Sequence, residues 1–216
     1  MNQQDEEQVF SKKQKVVEEI TRLNCFSKLY SEVRRLKTSK HIKVMFIFAL
    51  LTFSAFNTIG SSSTSLISGD LVTYSTSLIG WSVSILGFIL ASYSIYSTLT
   101  DKELNVALAS VEQPTYGISY LAYTHAVFVK VIIEITAICL IAYVIQVFVD
   151  SSLFDLFLKE GGDCQYFTYS IAILLSTLQA LFVYVLMSCL VFIYNVYHSI
   201  MTSIRWFAEQ NLHEED

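Results

Sequence analysis

Lys130 and Glu134 stand four residues apart in a run, Ala126 to Val149, that carries no other charge. On a helix that spacing puts an ammonium and a carboxylate on one face, one turn apart, where they can bond. If the run crosses a membrane, this pair is the chain's first candidate for chemistry, because ionisable groups in hydrocarbon are costly and mark ion paths or proton-linked switches. The plainer use is an interfacial anchor, with Lys130 snorkelling to the surface and Glu134 about 6 Å deeper. The 15 residues from Ile135 to Val149 are short for a full crossing, which draws both groups towards the surface. Gln146 and Gln179 are further polar groups in apolar runs. They suit a path lined by several copies or, more simply, hydrogen bonds between helices.

Little else could do chemistry. The chain has no glycine-rich phosphate loop, no HExxH, no Gly-x-Ser-x-Gly and no set resembling a Ser/His/Asp triad. His41, His125, His198 and His213 are scattered near one interface. The four cysteines form no CxxC and join no histidine cluster, so neither a metal site nor a cofactor is expected. The topology below places no two of them in one oxidising compartment, which argues against an internal disulfide. Asp150, Asp155, Glu160 and Asp163 surround Gly161-Gly162 without EF-hand spacing, which reads as a solvated acidic loop. The polar segments are too small to form an enzyme domain of their own, so the expectation is a non-enzyme.

The elements that must position these residues are membrane helices. Of the 216 residues 53% are hydrophobic, only one is proline, and the mean hydropathy is +0.50. The apolar residues gather in charge-poor runs, too apolar for an ordinary soluble domain. The fold class expected is all-α, an integral membrane protein with four spans at about 42–60, 76–98, 126–149 and 167–198. Residues 1–41 form a cytoplasmic amphipathic helical segment, 99–125 a cytoplasmic loop and 199–216 a cytoplasmic tail. About forty polar residues precede the first span, so no cleavable signal is expected, and neither end carries a lipidation pattern.

Orientation follows the placement of lysine and arginine. Residues 1–41 hold nine of them, and the loops after the second and third spans hold Lys102 and Lys159, with Arg205 in the tail. Four spans put both termini and all but Lys159 of these loop charges on one side. Both ends are therefore expected in the cytoplasm, and the net charge of −5 says little by comparison.

Within the second span, Gly80, Ser84, Gly87, Ala91, Ser94 and Thr98 recur at steps of four and three, which places them on one helical face. A small-residue stripe lets another backbone approach closely in lipid. The expectation is a packing helix around which the other spans are arranged, or a face for homo-oligomerisation. The bulky Trp81, Ile85, Phe88, Ile89 and Tyr96 on the opposite side suit lipid or looser packing. In the N-terminal segment Val9, Val16, Leu23 and Tyr30 fall seven apart, a seam for a partner or for copies of the chain. Arg34, Arg35, Lys37, Lys40 and Lys43 follow, suited to anionic head groups of membrane lipids or to fixing topology.

The connecting segments are legible in part. Gly60 to Asp70 is small and polar and reads as a flexible loop. Thr100-Asp-Lys-Glu103 is a capping box that predicts a short helix from Asp101 to about Val111, broken afterwards by Pro114 and Gly117. The fourth span is apolar for about thirty residues, longer than a bilayer needs, so it must tilt or project, with Tyr194, Tyr197 and Trp206 in an interfacial belt.

The basic N-terminal helix, the four-span layout, the run Gly87-Phe-Ile-Leu-Ala-Ser-Tyr-Ser-Ile and the following Thr100-Asp-Lys-Glu-Leu104 together resemble the KwaA-type membrane subunits of the Kiwa anti-phage defence system. The resemblance implies an oligomer of the bacterial inner membrane that senses phage infection at the envelope. It also implies that the chain binds no nucleic acid itself and holds a cytoplasmic, DNA-binding effector subunit that carries out the block. No individual functional residue is carried over from it. The alternative expectation is an oligomeric pore or ion channel lined by Glu134, Gln146 and Gln179.

Overall fold

The structure is a computed structural model that describes residues 17, 25–60, 64–100, 102–154, 156 and 165–214. Among these residues the order is α1 (Phe26–Arg35), α2 (Lys40–Ile59), α3 (Thr64–Leu99), α4 (Lys102–Ser110), β1 (Glu112–Gln113), β2 (Ile118–Ser119), α5 (Tyr120–Val149) and α6 (Gln165–Glu214). Four helices are long and apolar enough to cross a membrane, over Lys40–Ile59, Ile67–Thr98, Tyr120–Val149 and Gln165–Ala208. This is the character of a multi-pass membrane protein, as the apolar runs indicate.

Three helices outrun their expected bounds. α3 begins at Thr64, so the segment expected to be a flexible loop up to Asp70 is helical from that point. Hydroxyls that compete with helices elsewhere bond back to their own helix here: Thr73 Oγ1 donates to the Gly69 carbonyl at 3.0 Å and Ser75 Oγ to that of Leu71 at 2.8 Å. Leu71 and Ser75 are also fully buried, so packing supports the added turns. α5 starts at Tyr120 because Ser119 caps it: the Ala122 N–H donates to Ser119 Oγ at 3.2 Å. α6 runs 50 residues without a break, where a crossing needs about 20, so the segment expected as a separate tail continues the fourth helix.

The short elements follow local rules. α4 lies where the capping box predicts it, although the Thr100 hydroxyl also donates backwards to the Tyr96 carbonyl at 2.8 Å, closing α3. Pro114 and Gly117 shape a tight antiparallel hairpin that pairs Glu112 with Ser119 and Gln113 with Ile118. Gly117 supplies the φ of +64° that the turn needs, and Gln113 Oε1 accepts from the N–H groups of Thr115 and Tyr116.

The chain divides into two compact units. One gathers Met1–Lys37, Leu90–Val131 and Phe192–Asp216; the other gathers Thr38–Ile89 and Ile132–Val191. The first is organised on Phe128, 1% exposed, whose ring meets Tyr93 at 5.4 Å, Tyr96 at 5.2 Å and Phe192 at 5.2 Å between centroids. The second buries Leu71, Leu78, Ile135, Leu175, Leu178 and Val185 from three of its helices. It also carries a polar tie between α2 and α6. Asn57 Nδ2 donates to Ser176 Oγ and to Gln179 Oε1, both at 2.9 Å. Away from water such bonds are worth about 0.6 to 1.7 kcal/mol each.

Replacing Asn57 by Ala is expected to lower the thermal denaturation midpoint in mild detergent, through a loss of about 1 kcal/mol. The double variant with Gln179→Ala should lose little more, since both changes break one network. Tyr166→Ala, at a position 83% exposed, should leave the midpoint in place. Additive losses in the double variant would count against a shared tie.

Candidate functional site

The feature best placed to meet another molecule is α1 with its anchor. Leu29, Val33 and Leu36 recur at steps of four and three, so they share one side of the helix and its end. Val33 and Leu36 are buried at 4% and 6% exposure. Lys28, Arg34 and Arg35 are exposed on the remaining surface. Arg35 Nη1 also reaches both Glu32 oxygens at 3.3 Å, a surface pair that adds little stability because its guanidinium side chain is 67% exposed.

The anchor is Lys130. Its Nζ donates to the Leu36 carbonyl at 2.6 Å, just past the last turn of α1. A cation at that position meets the negative end of the helix dipole as well as an open carbonyl. The Lys37 N–H points to the Tyr116 hydroxyl at 3.4 Å, and Tyr116 stacks on Tyr123 at 5.6 Å. α5 and the hairpin therefore hold the same end of α1. Sequence spacing points Lys130 towards Glu134 and gives no sign of this contact, because its acceptor lies 94 residues away on the backbone.

Glu134 is described within the other unit. It lines a hollow of about 290 Å³ with Phe46, Ala137, Ile138, Leu181 and Tyr184, and it is the carboxylate acting on the Tyr184 hydroxyl. Gln179 is engaged with Asn57, the interhelical use expected of it, and Gln146 is half-buried on α5.

The small-residue stripe of α3 faces outward, and of the bulky set Ile89 and Tyr96 are buried while Trp81 and Phe88 are exposed. Gly80, Ser84, Gly87, Ala91 and Ser94 are all exposed, as is Thr98. An added Cβ at Gly80 or Gly87 would meet nothing within 4 Å. The buried side carries Leu71, Ser75, Leu78, Ser82, Ile89 and Tyr96 instead. The stripe is thus no packing face for the chain's own spans, and Ile89 and Tyr96 do not face lipid. The buried positions mix bulky side chains with small ones such as Ser75, Ser82, Ala126, Ala142, Ala172 and Ala180. Trp81, on the exposed side of the division, packs its ring on Phe182 at 4.3 Å.

Of the N-terminal seam only Tyr30 lies among the described residues, and it is exposed, as a surface for a partner or for lipid would be. Tyr30 is 42% exposed, and the buried side of α1 belongs to Val33 and Leu36. Val9, Val16 and Leu23 lie outside the described residues. Arg34 and Arg35 are exposed, open to lipid or to a partner.

Among the histidines, His41 and His198 are exposed, and the latter stacks on Tyr194. His125 is drawn into the Phe128 cluster, its Nδ1 lying 3.0 Å from the Tyr93 hydroxyl. Among the described residues no group of three or more His, Cys, Asp or Glu comes together, and Cys25, Cys139 and Cys189 are free thiols. Cys25 opens α1 as its N-cap residue. Its thiol titrates below the usual cysteine range because the backbone N–H of Ser27, then that of Lys28, favours the thiolate, with the Lys28 ammonium adding to both.

Comparison with protein-family models, with curated proteins and with solved structures finds no match for this chain.

Lys130→Met should free the end of α1. A hydrogen bond to a charged group contributes about 1.5–3 kcal/mol, so tryptic cleavage after Arg34 and Arg35 should quicken by about tenfold or more, with Lys130→Arg in between. Unchanged cleavage would show that the ammonium does not hold the helix. Cys25 supplies a pH readout of the same element. Its alkylation rate should rise at lower pH than that of a cysteine in an unfolded peptide, and the advantage should vanish when α1 is melted.

Proposed function

We propose that this chain is a multi-pass scaffold of the bacterial inner membrane, of the KwaA kind, that assembles with its own copies and presents α1 to a cytoplasmic effector protein. The observation that carries this is the two-sidedness of α1. Its aliphatic row is buried, its end is held by Lys130, and its exposed surface carries Lys28, Arg34 and Arg35. A cationic surface fixed in this way suits an acidic patch on a soluble partner, and electrostatic complementarity favours fast and specific encounter. The excess of lysine and arginine in residues 1–41 supports a cytoplasmic placement of that surface.

Self-assembly is supported by the exposed stripe on α3. Small residues turned away from a chain's own core are suited to the close approach of a second helix in lipid. In this role the protein binds and positions, and contact with nucleic acid belongs to the effector. A pore lined by Glu134, Gln146 and Gln179 is less well supported. The Gln179 amide oxygen already accepts from Asn57 within the chain, which removes one of the three groups from a shared path.

The deciding experiment is purification of the tagged full-length protein in mild detergent, with mass measured on the intact complex. A homo-oligomer carrying a stoichiometric soluble protein is expected. Reversing charge at Arg34 and Arg35 to Glu should release the soluble protein while membrane insertion persists. Gly80→Leu with Gly87→Leu should reduce the assembly to single chains by filling the stripe, and a Cβ at either position meets nothing within 4 Å in the chain's own fold. Retention of the partner after charge reversal, or survival of the oligomer with both leucines, would overturn the corresponding half of the proposal. A bare homo-oligomer showing ion flux that Glu134→Gln abolishes would favour the pore.

A further inference from the structure

One unit contains a cavity of about 430 Å³ between the end of α3, α4, the start of α5 and the later part of α6. That volume lies in the ordinary range for small-molecule sites, about 300–1,000 Å³. Its lining is mixed, with the hydroxyls of Tyr96, Tyr120, Tyr123 and Thr124 beside apolar and polar rows. Leu104 and Leu108 from α4 and Val127 and Phe128 from α5 form an apolar floor, with Leu104 and Phe128 almost fully buried. The α6 wall presents Asn195, His198, Ser199 and Thr202, at steps of three, one and three, so the hydrogen-bonding groups form a single row on one helical face.

We propose that this cavity binds an uncharged, single-tailed amphiphile of the monoacylglycerol class, with its tail on the floor and its hydroxyls on the α6 row. No Asp, Glu, Lys or Arg is among the described residues that line it. A charged head group would find no carboxylate, ammonium or guanidinium among the described lining residues to pair with, which disfavours fatty acids and phospholipids at the polar wall. An alkane would set hydrocarbon against the Asn195 amide and the His198 ring and gain nothing from either. The membrane is the natural source, because Tyr96, the α5 residues and the α6 row all lie towards the ends of helices able to cross a bilayer. The site also gives α4 a purpose, since Leu104 and Leu108 turn the apolar edge of that short helix into a cavity wall.

The test uses the full-length protein in mild detergent with a monoacylglycerol that carries a photoactivatable tail. Saturable labelling at one probe per chain is expected, with adducts mapped by mass spectrometry to α4 and to Asn195–Thr202. Unlabelled 1-oleoylglycerol should compete at least tenfold better than oleate or an alkane of the same length. Leu108→Trp and Thr124→Trp fill the cavity from different walls, and either one, if it elutes as the parent does, should cut labelling at least tenfold. Tyr166→Ala should leave it unchanged. Adducts spread along all four spans, non-saturable labelling, or equal competition by oleate would overturn the proposal without the need for any variant.

Discussion

Hydrocarbon offers no hydrogen bonds, and that constraint decides most of this fold. Every backbone N–H and carbonyl in a span must be paired within it, so the apolar runs form helices. The same pressure acts on side chains. Thr52, Thr58, Ser84, Thr136, Ser170 and Thr177 each donate to a carbonyl three or four residues back, which satisfies a hydroxyl without help from a neighbouring helix. Asn57 cannot do this with both of its amide protons, and it turns instead to Ser176 and Gln179 on α6. The polar groups that remain after back-bonding are therefore the ones that specify which helices meet.

This explains what the sequence made legible. The four spans follow from the absence of charge, and α4 follows from Thr100 and Glu103 at cap spacing. The early starts of α3 and α5 were hidden for opposite reasons. Before α3, serine, threonine and glycine read as loop, because propensity does not foresee that hydroxyls will bond back once Leu71 is buried. Before α5, Tyr120, Tyr123 and Thr124 look too polar for a span, although Ser119 stands ready as a cap.

The faces of α3 were hidden more deeply. A stripe of small residues and a row of bulky ones share the same period, so spacing shows that two faces exist without saying which turns inward. The choice lies with the neighbours. Phe128 and Phe192 make an aromatic centre that Tyr93 and Tyr96 complete, and a ring seated there excludes the close backbone contact that glycine permits. Once Tyr96 and Ile89 face inward, helical geometry sends Gly87, Ala91 and Ser94 outward. The sequence carries the local pattern, but its direction is set by residues more than thirty positions away.

Lys130 shows the same logic applied to charge. Neighbouring spacing offers it Glu134, and an ammonium is a compact charge with three donors that can also donate to any other well-placed oxygen. The carbonyl of Leu36 is such an oxygen, left open at the end of a helix and made more negative by the dipole behind it. A lysine in an apolar run is costly without a partner, and the end of a helix is costly without a cap. Each removes the other's penalty. Because Leu36 is also buried through its side chain, the contact ties the apolar row of α1 in place while leaving Lys28, Arg34 and Arg35 at the surface. The charge that marks α5 as unusual thus acts on α1, where it joins the buried Val33 and Leu36 in fixing the orientation of a cationic surface.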